Sequence, residues 1–255
     1  MRTVFLRLAA LFALGLSSTV ALAGETKPFT ATAVQTVPGQ GAQSGKIFVS
    51  GQDTRFEFTD HGHEVVQIIL PKQKIMRIVF PKDRVYTEFA APDNAPTAKV
   101  EDIKPCPDSG DASCVMEGVD KYNDIDVQRW RLTVKGGQGS SVLWWEPERK
   151  MIVRQEFNDG RIMLLQLAGE VEFDGRKTEQ WDISYAAPGA PVARGMRLVD
   201  RSLNLIVKEL TPAGLVRELR DLKVVEADAA WFAVPEGFKR IEAPKPGSMP
   251  SQPQR

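Results

Sequence analysis

The sequence predicts a mainly β protein made of one continuous antiparallel sheet with few short helices. Short runs rich in Val, Ile, Thr and aromatic residues follow one another along the chain, and Gly, Pro, Asp and Asn separate them. No window carries a long apolar stripe with the helical period of about 3.6 residues. Successive runs joined by tight turns are typical of hairpins, so a meander without a second domain is the expected topology.

Residues 1–23 have the composition and order of a secretory signal peptide. Arg2 and Arg7 form a basic start, and Leu8–Ala23 is apolar or small throughout and ends on Ala-Leu-Ala. An uncleaved membrane anchor is the alternative, but this stretch of 16 residues is shorter than the ~20 that a membrane-spanning helix needs. We expect export to the periplasm and cleavage after Ala23. No lipid is expected on the new N-terminus, because Gly24 and not Cys follows the cut.

Six strands are predicted in the first half of the mature chain. The first run is rich in Thr, Ala and Val and ends at a Pro-Gly turn, and the third alternates, with Phe56 and Phe58 on one side and charged residues on the other. Each run ends at a group of turn residues, which indicates hairpins. The predicted strands are Phe29–Val37, Lys46–Ser50, Thr54–Thr59, Glu64–Leu70, Lys74–Phe80 and Arg84–Phe89.

The stretch Ala90–Glu117 interrupts this pattern. It holds four prolines and both cysteines of the chain, and few large apolar residues. In an oxidising compartment Cys106 and Cys114 are expected to form a disulfide across the turn residues between them, which would stabilise the fold by about 2–3 kcal/mol. A redox-active pair is the alternative, but the spacing is not C-x-x-C. We interpret the stretch as a surface excursion held by the disulfide.

Strand patterns resume after this excursion and continue almost to the C-terminus. A helical turn or two is predicted around Asp228-Ala229-Ala230-Trp231, and the Pro-rich tail 243–255 is predicted to be disordered. One β domain should therefore span residues 24–242. Its second-half strands are Gln128–Lys135, Ser141–Glu146, Met151–Phe157, Arg161–Leu167, Glu170–Phe173, Thr178–Tyr185, Gly195–Asp200, Leu203–Leu210 and Leu215–Val225.

Two stretches of the second half resemble each other at an offset of 54 residues. Glu146–Arg154 ends in the same way as Asp200–Lys208, and the offset persists to Gly160 and Gly214 at the next turn. An internal repeat would explain the match, but any β meander resembles itself at some offset. Both interpretations remain open at this stage.

Charge and motifs exclude several classes of function. The chain has 33 basic and 33 acidic side chains, and removal of Arg2 and Arg7 leaves a slight acidic excess, so the basic face that nucleic-acid binding needs is missing. No glycine-rich phosphate loop and no G-x-S-x-G nucleophile motif is present. We therefore expect no enzyme activity, no catalytic residue and no cofactor.

The only two histidines suggest a metal site, but the surrounding sequence argues against one. His61 and His63 could share one face of a strand, with Asp60 and Glu64 as further ligands. Gly62 between them indicates a hairpin turn instead, and no other histidine is available to complete a site. No bound metal is expected.

The large apolar side chains suggest a possible ligand-binding role for the sheet. Aromatic residues and flexible methionines either pack a filled core or line an adaptable groove for a hydrophobic ligand, and composition does not separate the two. If a groove exists, the candidate lining residues, chosen by strand face and bulk, are Phe56, Phe58, Trp130, Trp144, Met163 and Trp181.

Several motifs in order along the chain resemble the LolA/LolB superfamily of periplasmic lipoprotein-sorting proteins. They are Lys46–Phe58, with its Gly-x-Asp-x-Arg-Phe-Glu-Phe ending, the strand-turn-strand Lys74–Tyr86, Trp144–Glu156 with the turn at Asp159-Gly160, and the closing Trp231–Phe238 with its Phe-x-x-Pro-x-Gly-Phe pattern. The similarity covers residues 29 to 241. The order of the motifs and the closing motif Trp231–Phe238 support the resemblance more strongly than any single match does.

This resemblance implies a strongly curved open half-barrel with short helices over its mouth. In the family's carriers the concave apolar face holds the acyl chains of lipoproteins, and other relatives sense envelope stress by binding lipidated or misfolded ligands. The carriers begin with a helix, whereas strand pattern here starts at Phe29, and no position matches the family's lid-contacting arginine.

Two functional hypotheses follow from the sequence. The first is a soluble periplasmic protein that binds a lipid or a lipoprotein acyl chain on the concave face, in lipoprotein trafficking or envelope sensing. The alternative is a non-enzymatic envelope protein with a filled core that binds a protein partner at a sheet edge or through Ala90–Glu117. Neither hypothesis includes a membrane span after cleavage.

Overall fold

The structure is a computed structural model that describes residues 27–90, 105–106, 111–137 and 139–242. The predicted signal peptide, residues 1–23, and the predicted tail, residues 243–255, lie outside the described residues. Within the described part of the chain, no helix has the length and apolar character needed to cross a membrane.

In the described part of the chain, sixteen strands form one sheet. The only helical segments of the described chain are two short 3-10 turns, Pro71–Gln73 and Ala229–Phe232. The strands are β1 (Phe29–Val37), β2 (Gly41–Ser50), β3 (Asp53–Asp60), β4 (His63–Leu70), β5 (Ile75–Phe80), β6 (Val85–Ala90), β7 (Ala112–Tyr122), β8 (Ile125–Val134), β9 (Ser141–Glu146), β10 (Met151–Phe157), β11 (Ile162–Phe173), β12 (Arg176–Ala186), β13 (Ala193–Asp200), β14 (Leu205–Leu210), β15 (Val216–Val224) and β16 (Lys239–Arg240).

The sheet is a curved, open meander whose two halves meet in the middle. Its spatial order is β16-β6-β5-β4-β3-β2-β1-β15-β14-β13-β12-β11-β10-β9-β8-β7. The first strand therefore pairs with the last long one, and the chain passes from one edge of the sheet to the other between β6 and β7. All pairings are antiparallel except the two-residue contact of β16 with β6. The predicted fold class, a mainly β single curved sheet, is confirmed.

Cross-strand partners place the large apolar side chains of many strands on one side of the sheet, because residues directly opposite each other in a ladder point to the same side. One such row runs from β8 to β13 through Trp130, Leu143, Gln155, Met163, Tyr185 and Ala193. A second row on the same side, farther along β11 and β12, continues to β1 through Leu167, Trp181, Arg197, Glu209, Arg217 and Gln35. We call this side the apolar face.

The apolar face continues into the first half of the sheet. Alternation along β1 leads from Gln35 to Ala31, which lies opposite Ile47 of β2, and Ile47 lies opposite Phe56 of β3. The other side of the same strands is more polar, and Lys46 of β2 is exposed there. The other side is apolar in β4 and β5, where the C-terminal segment covers Val66, Ile68, Leu70 and Val79.

Three clusters of buried side chains form the core of the described residues. The first joins β1–β3 to β13–β15 and is built around Phe29, Ile47, Phe56, Leu205 and Leu219. The second joins β8 to β10–β14 and is built around Val127, Val153, Leu165, Trp181 and Ile206. The third contains Val66, Ile68, Leu70 and Val79 with Phe232, Val234 and Phe238 of the C-terminal segment.

The C-terminal segment packs on the side opposite the apolar face. Trp231 lies 5.4 Å from Phe48, measured between ring centroids, and its carbonyl accepts a hydrogen bond of 2.9 Å from Arg55. Phe48 and Arg55 alternate with the apolar-face residues of their strands. The predicted helical turn near Trp231 is confirmed as Ala229–Phe232, and the carboxylate of Asp228 caps it by accepting from the N–H of Ala230 at 2.8 Å. The resemblance implied short helices over the concave mouth, and this turn does not pack on the apolar face.

The disulfide prediction is confirmed, and the excursion prediction is corrected. Cys106 and Cys114 are joined, with their Cα atoms 6.0 Å apart. The interpretation of Ala90–Glu117 as a surface excursion is wrong at its C-terminal end, because β7 starts at Ala112. Residues 91–104 and 107–110 of this stretch lie outside the described residues. β7 is an edge strand with one partner, so its side chains lack the alternation that identifies a half-buried strand. Val119 of β7 is 81% exposed.

Candidate functional site

Trp181 is the most deeply placed of the predicted site residues. It has no solvent exposure and lies at the centre of the second core cluster. Its indole N–H donates to the carboxylate of Glu179 at 3.1 Å, and the guanidinium of Arg149 lies over the ring, 5.7 Å from the centroid. Because Trp181 is fully packed, it would form the base of a ligand site and not its solvent-accessible opening.

Arg149, in the turn between β9 and β10, contacts the residues around Trp181. Its guanidinium donates to Glu179 at 3.2 Å and lies beside Glu146. Burial works against the charge of the guanidinium, but the hydrogen bond and charge of Glu179, together with Glu146, raise the pKa of Arg149 above its ordinary value. Arg149 therefore stays charged and holds the carboxylate that accepts the indole N–H of Trp181.

Phe56 and Phe58 lie together in the other half of the apolar face. Their rings stack with centroids 5.1 Å apart, and Phe56 is buried in the first core cluster while Phe58 packs beside it and is half-buried. Gly45 makes this possible, because a Cβ at that position would lie 2.6 Å from the ring of Phe56. The structure does not bring these rings into one cluster with Trp181, although all three lie on the apolar face.

Trp130 and Met163 lie in the same cross-strand row and are both half-buried. The indole N–H of Trp130 donates to Gln128 at 3.2 Å, and Met163 packs at the margin of the second core cluster. At the edge of the sheet, Trp130 pairs with Met116 of β7, which is 43% exposed. Apolar surface of this face therefore reaches solvent along the β7–β8 edge.

Trp144 packs against the second core cluster, as Met163 does, but it does not lie in the cross-strand row of Trp130 and Met163. It follows Leu143 of the apolar face, so alternation directs it to the other side, where the guanidinium of Arg154 lies 4.8 Å from its ring centroid. Its indole N–H points to Asp120 at 3.4 Å. The neighbouring Trp145, which is not among the predicted site residues, is the buried tryptophan of the apolar face on β9. Adjacent tryptophans give no alternation signal, so the sequence did not identify the inward one.

Sequence reasoning also missed a group of three charged side chains on the apolar face. Glu209 of β14 lies between Arg197 of β13 and Arg217 of β15 in one cross-strand row. Its carboxylate accepts from Arg197 at 2.8 Å and from Arg217 at 3.5 Å. Arg197 stands between Met196 and Leu198, so the local pattern favoured the two apolar side chains for the interior and the arginine for solvent.

The described residues contain no group of three or more His, Cys, Asp or Glu side chains placed to hold a metal ion. His61 lies in the β3–β4 turn with a positive φ of 46°, and its ring lies 3.8 Å from the carboxylate of Asp60. His63 is the first residue of β4 and is exposed.

No family model matches the sequence, and no curated protein matches it. Among solved structures, the chain is similar to a LolA superfamily protein from Nitrosomonas europaea at 11% identity and a TM-score of 0.39, over 83% of this chain and 92% of that one. It is similar to an uncharacterized conserved protein from Thermus thermophilus at 9% identity and a TM-score of 0.32, over 86% and 91%. A DUF1329 family protein from Desulfovibrio piger matches at 14% identity and a TM-score of 0.30, over 82% and 90%.

Proposed function

We propose that the protein is a soluble, non-enzymatic periplasmic protein that binds a hydrophobic ligand, such as a lipid or a lipoprotein acyl chain, on the apolar face of its curved sheet. The signal-like residues 1–23 support the location. The disulfide between Cys106 and Cys114 is consistent with an oxidising compartment. Binding of such a ligand would serve a role in lipoprotein trafficking or envelope sensing.

The observation that carries the proposal is the partial exposure of large apolar side chains on the face that also forms the core. Trp130, Met163, Tyr185 and Phe58 lie on the apolar face and are half-buried, whereas Trp181 on the same face has no exposure. A filled interior would bury the large side chains that face it to a similar degree. Partly exposed apolar side chains beside a fully buried one are typical of a binding site for an apolar ligand.

A matched pair of tryptophan variants tests the proposal. Lipids are extracted from the purified protein and identified. In a separate measurement, binding of an apolar fluorescent probe, 1-N-phenylnaphthylamine, is titrated. Trp130→Ala on the apolar face should weaken probe binding by about tenfold, since a buried aromatic contact contributes roughly 1–3 kcal/mol. Trp231→Ala, in the C-terminal segment on the other side of the sheet, should leave it unchanged.

Absence of both co-purifying lipid and any probe response would contradict the proposal. That result would favour the alternative of a filled core and a protein partner. Equal effects of the two variants would show that probe binding does not depend on the apolar face.

A further inference from the structure

Arg197 introduces a charged, solvent-reachable group into the middle of the apolar face. It lies directly opposite Trp181 on one side and Glu209 on the other. The side chain of Arg197 is 30% exposed, that of Arg217 is 16% exposed and that of Glu209 is 8% exposed. Arg197 is thus the member of this group that solvent, or a ligand, reaches most easily.

The guanidinium of Arg197 has unused hydrogen-bonding capacity. Only its Nε–H is engaged by a described residue, at 2.8 Å from Glu209, and the Nη1 and Nη2 groups make no hydrogen bond to any described residue. An arginine presents five N–H donors in a planar fork that suits a carboxylate or phosphate. The free edge of the fork is therefore able to bind an oxyanion.

The local charge balance favours an anion at this position. The carboxylate of Glu209 is shared between Arg197 and Arg217, so it is not the exclusive partner of Arg197. Glu179, the acidic residue of the same face on β12, is held by Arg149 and Trp181. An apolar surface beside the group lowers the effective dielectric, which strengthens an interaction with a charged partner.

We infer that the apolar face binds an anionic amphiphile, with its hydrocarbon chain along the half-buried apolar side chains and its carboxylate or phosphate head on Arg197. This inference rests on the proposed function, because it assigns the polar end of the same ligand. Neutral lipids would lack the head-group contact. A free anion would lack the chain contact.

Five probes separate these contributions on the full mature protein. A fluorescent long-chain fatty acid and its methyl ester differ only in the charge of the head, a lysophosphatidic acid of similar chain length supplies a phosphate head, and acetate and inorganic phosphate supply the head without a chain. The acid and the lysophosphatidic acid should bind about tenfold more tightly than the ester, as expected for one charge-assisted hydrogen-bonded contact. Their affinities should fall with added salt, while that of the ester should not.

Variants of β13 locate the head group. Arg197→Gln should remove the preference for the acid over the ester and leave ester binding unchanged. Arg194→Gln is the matched control, since Arg194 is an exposed arginine on the other side of the same strand. Arg197→Lys, which keeps the charge, should retain part of the preference.

The outcomes distinguish failure of the head-group inference from failure of the proposed function. If acid and ester bind equally well to the wild-type protein, the head-group inference is overturned and the proposed function stands. If neither binds, both are overturned. If inorganic phosphate alone binds as tightly as the lysophosphatidic acid, the site takes a free anion and the amphiphile assignment is wrong. The wild-type acid-to-ester ratio and its salt dependence decide the question even if Arg197→Gln fails to fold.

Discussion

Glu146 and Asp200, 54 residues apart in the sequence, hold the same position in two turns of the same geometry. The carboxylate of each accepts hydrogen bonds from the backbone N–H groups two and three residues farther along the chain. The fourth residue after each acid, Lys150 or Asn204, adopts a positive φ, of 52° or 51°. An acidic side chain at the end of a strand thus closes both turns.

The next turn of each stretch is also equivalent. Gly160 and Gly214 have φ values of 84° and 80°, and each N–H donates to the carbonyl three residues earlier. A Cβ on either glycine would lie within 3.0 Å of a proline of a neighbouring turn, Pro188 or Pro38. The offset of 54 residues therefore has a structural counterpart in two successive turns, which favours the internal-repeat interpretation.

Asp200→Asn should lower the free energy of unfolding by about 2–3 kcal/mol at pH 7, because the buried carboxylate satisfies Arg176 and the turn N–H groups. Urea unfolding measures the change. Asp182→Asn, at an exposed position of β12, is the control and should change the free energy of unfolding by no more than about 0.5 kcal/mol.

The effect of Asp200→Asn should depend on pH in a defined direction. Burial raises the pKa of Asp200, but hydrogen bonds from Ser202 and Arg176 outweigh it and hold the pKa below the ordinary value of 3.8. A depressed carboxyl pKa stabilises the fold above the unfolded-state pKa of about 3.9, and this stability is lost as the pH falls through the folded-state pKa. The difference between wild type and variant should be constant from about pH 5 to 8 and shrink below about pH 4. A difference that stays the same at low pH would contradict this explanation.

Local sequence predicted most strands well, because alternation and turn chemistry act over a few residues. Phe29–Val37, Ser141–Glu146 and Met151–Phe157 match the structure at both ends. The runs Arg161–Leu167 and Glu170–Phe173 are one strand, β11, because a bulge between Leu167 and Gly169 interrupts the alternation without ending the strand.

Features set by distant pairing could not be predicted in this way. Phe29 of β1 lies opposite Val224 of β15, and no local pattern indicates that the first and the last long strands of the chain pair in the centre of the sheet. Arg197 faces inward because its cross-strand partner is Glu209, a contact that depends on the register of two strands. The candidate site is therefore predictable as a set of apolar side chains, but its charged group is not.

Gly45→Ala should destabilise the protein by about 1–3 kcal/mol, the range for overpacking a filled interior. The new methyl group would lie 2.5 Å from the carbonyl oxygen of Glu57 and 2.6 Å from the ring of Phe56, so both the β2–β3 ladder and the ring must shift. Ser44→Ala, at the exposed neighbouring position, is the matched control. An unchanged denaturant midpoint for Gly45→Ala would show that β2 and β3 do not pack as closely as described.

Trp181→Phe should lower the free energy of unfolding by about 2–3 kcal/mol, since it removes part of a side chain with no solvent exposure and leaves the carboxylate of Glu179 without the indole N–H. Trp144→Phe, at a half-buried position on the other side of the sheet, should have a smaller effect. Tryptophan fluorescence during urea unfolding follows both variants. A larger loss for Trp144→Phe would reverse the assignment of the two faces.

Loss of the disulfide should destabilise the β7 edge of the sheet. Cys114 lies in β7 opposite Leu132 of β8, and the bond to the buried Cys106 closes a short loop onto this edge strand. The loop-entropy contribution of about 2–3 kcal/mol corresponds to a fall in Tm of about 5–10 °C for a domain of this size. Calorimetry of Cys114→Ser should show this fall, and a reductant should lower the Tm of the wild type by a similar amount without affecting the variant. If reduction leaves the Tm of the wild type unchanged, the edge strand is held by its pairing with β8 alone.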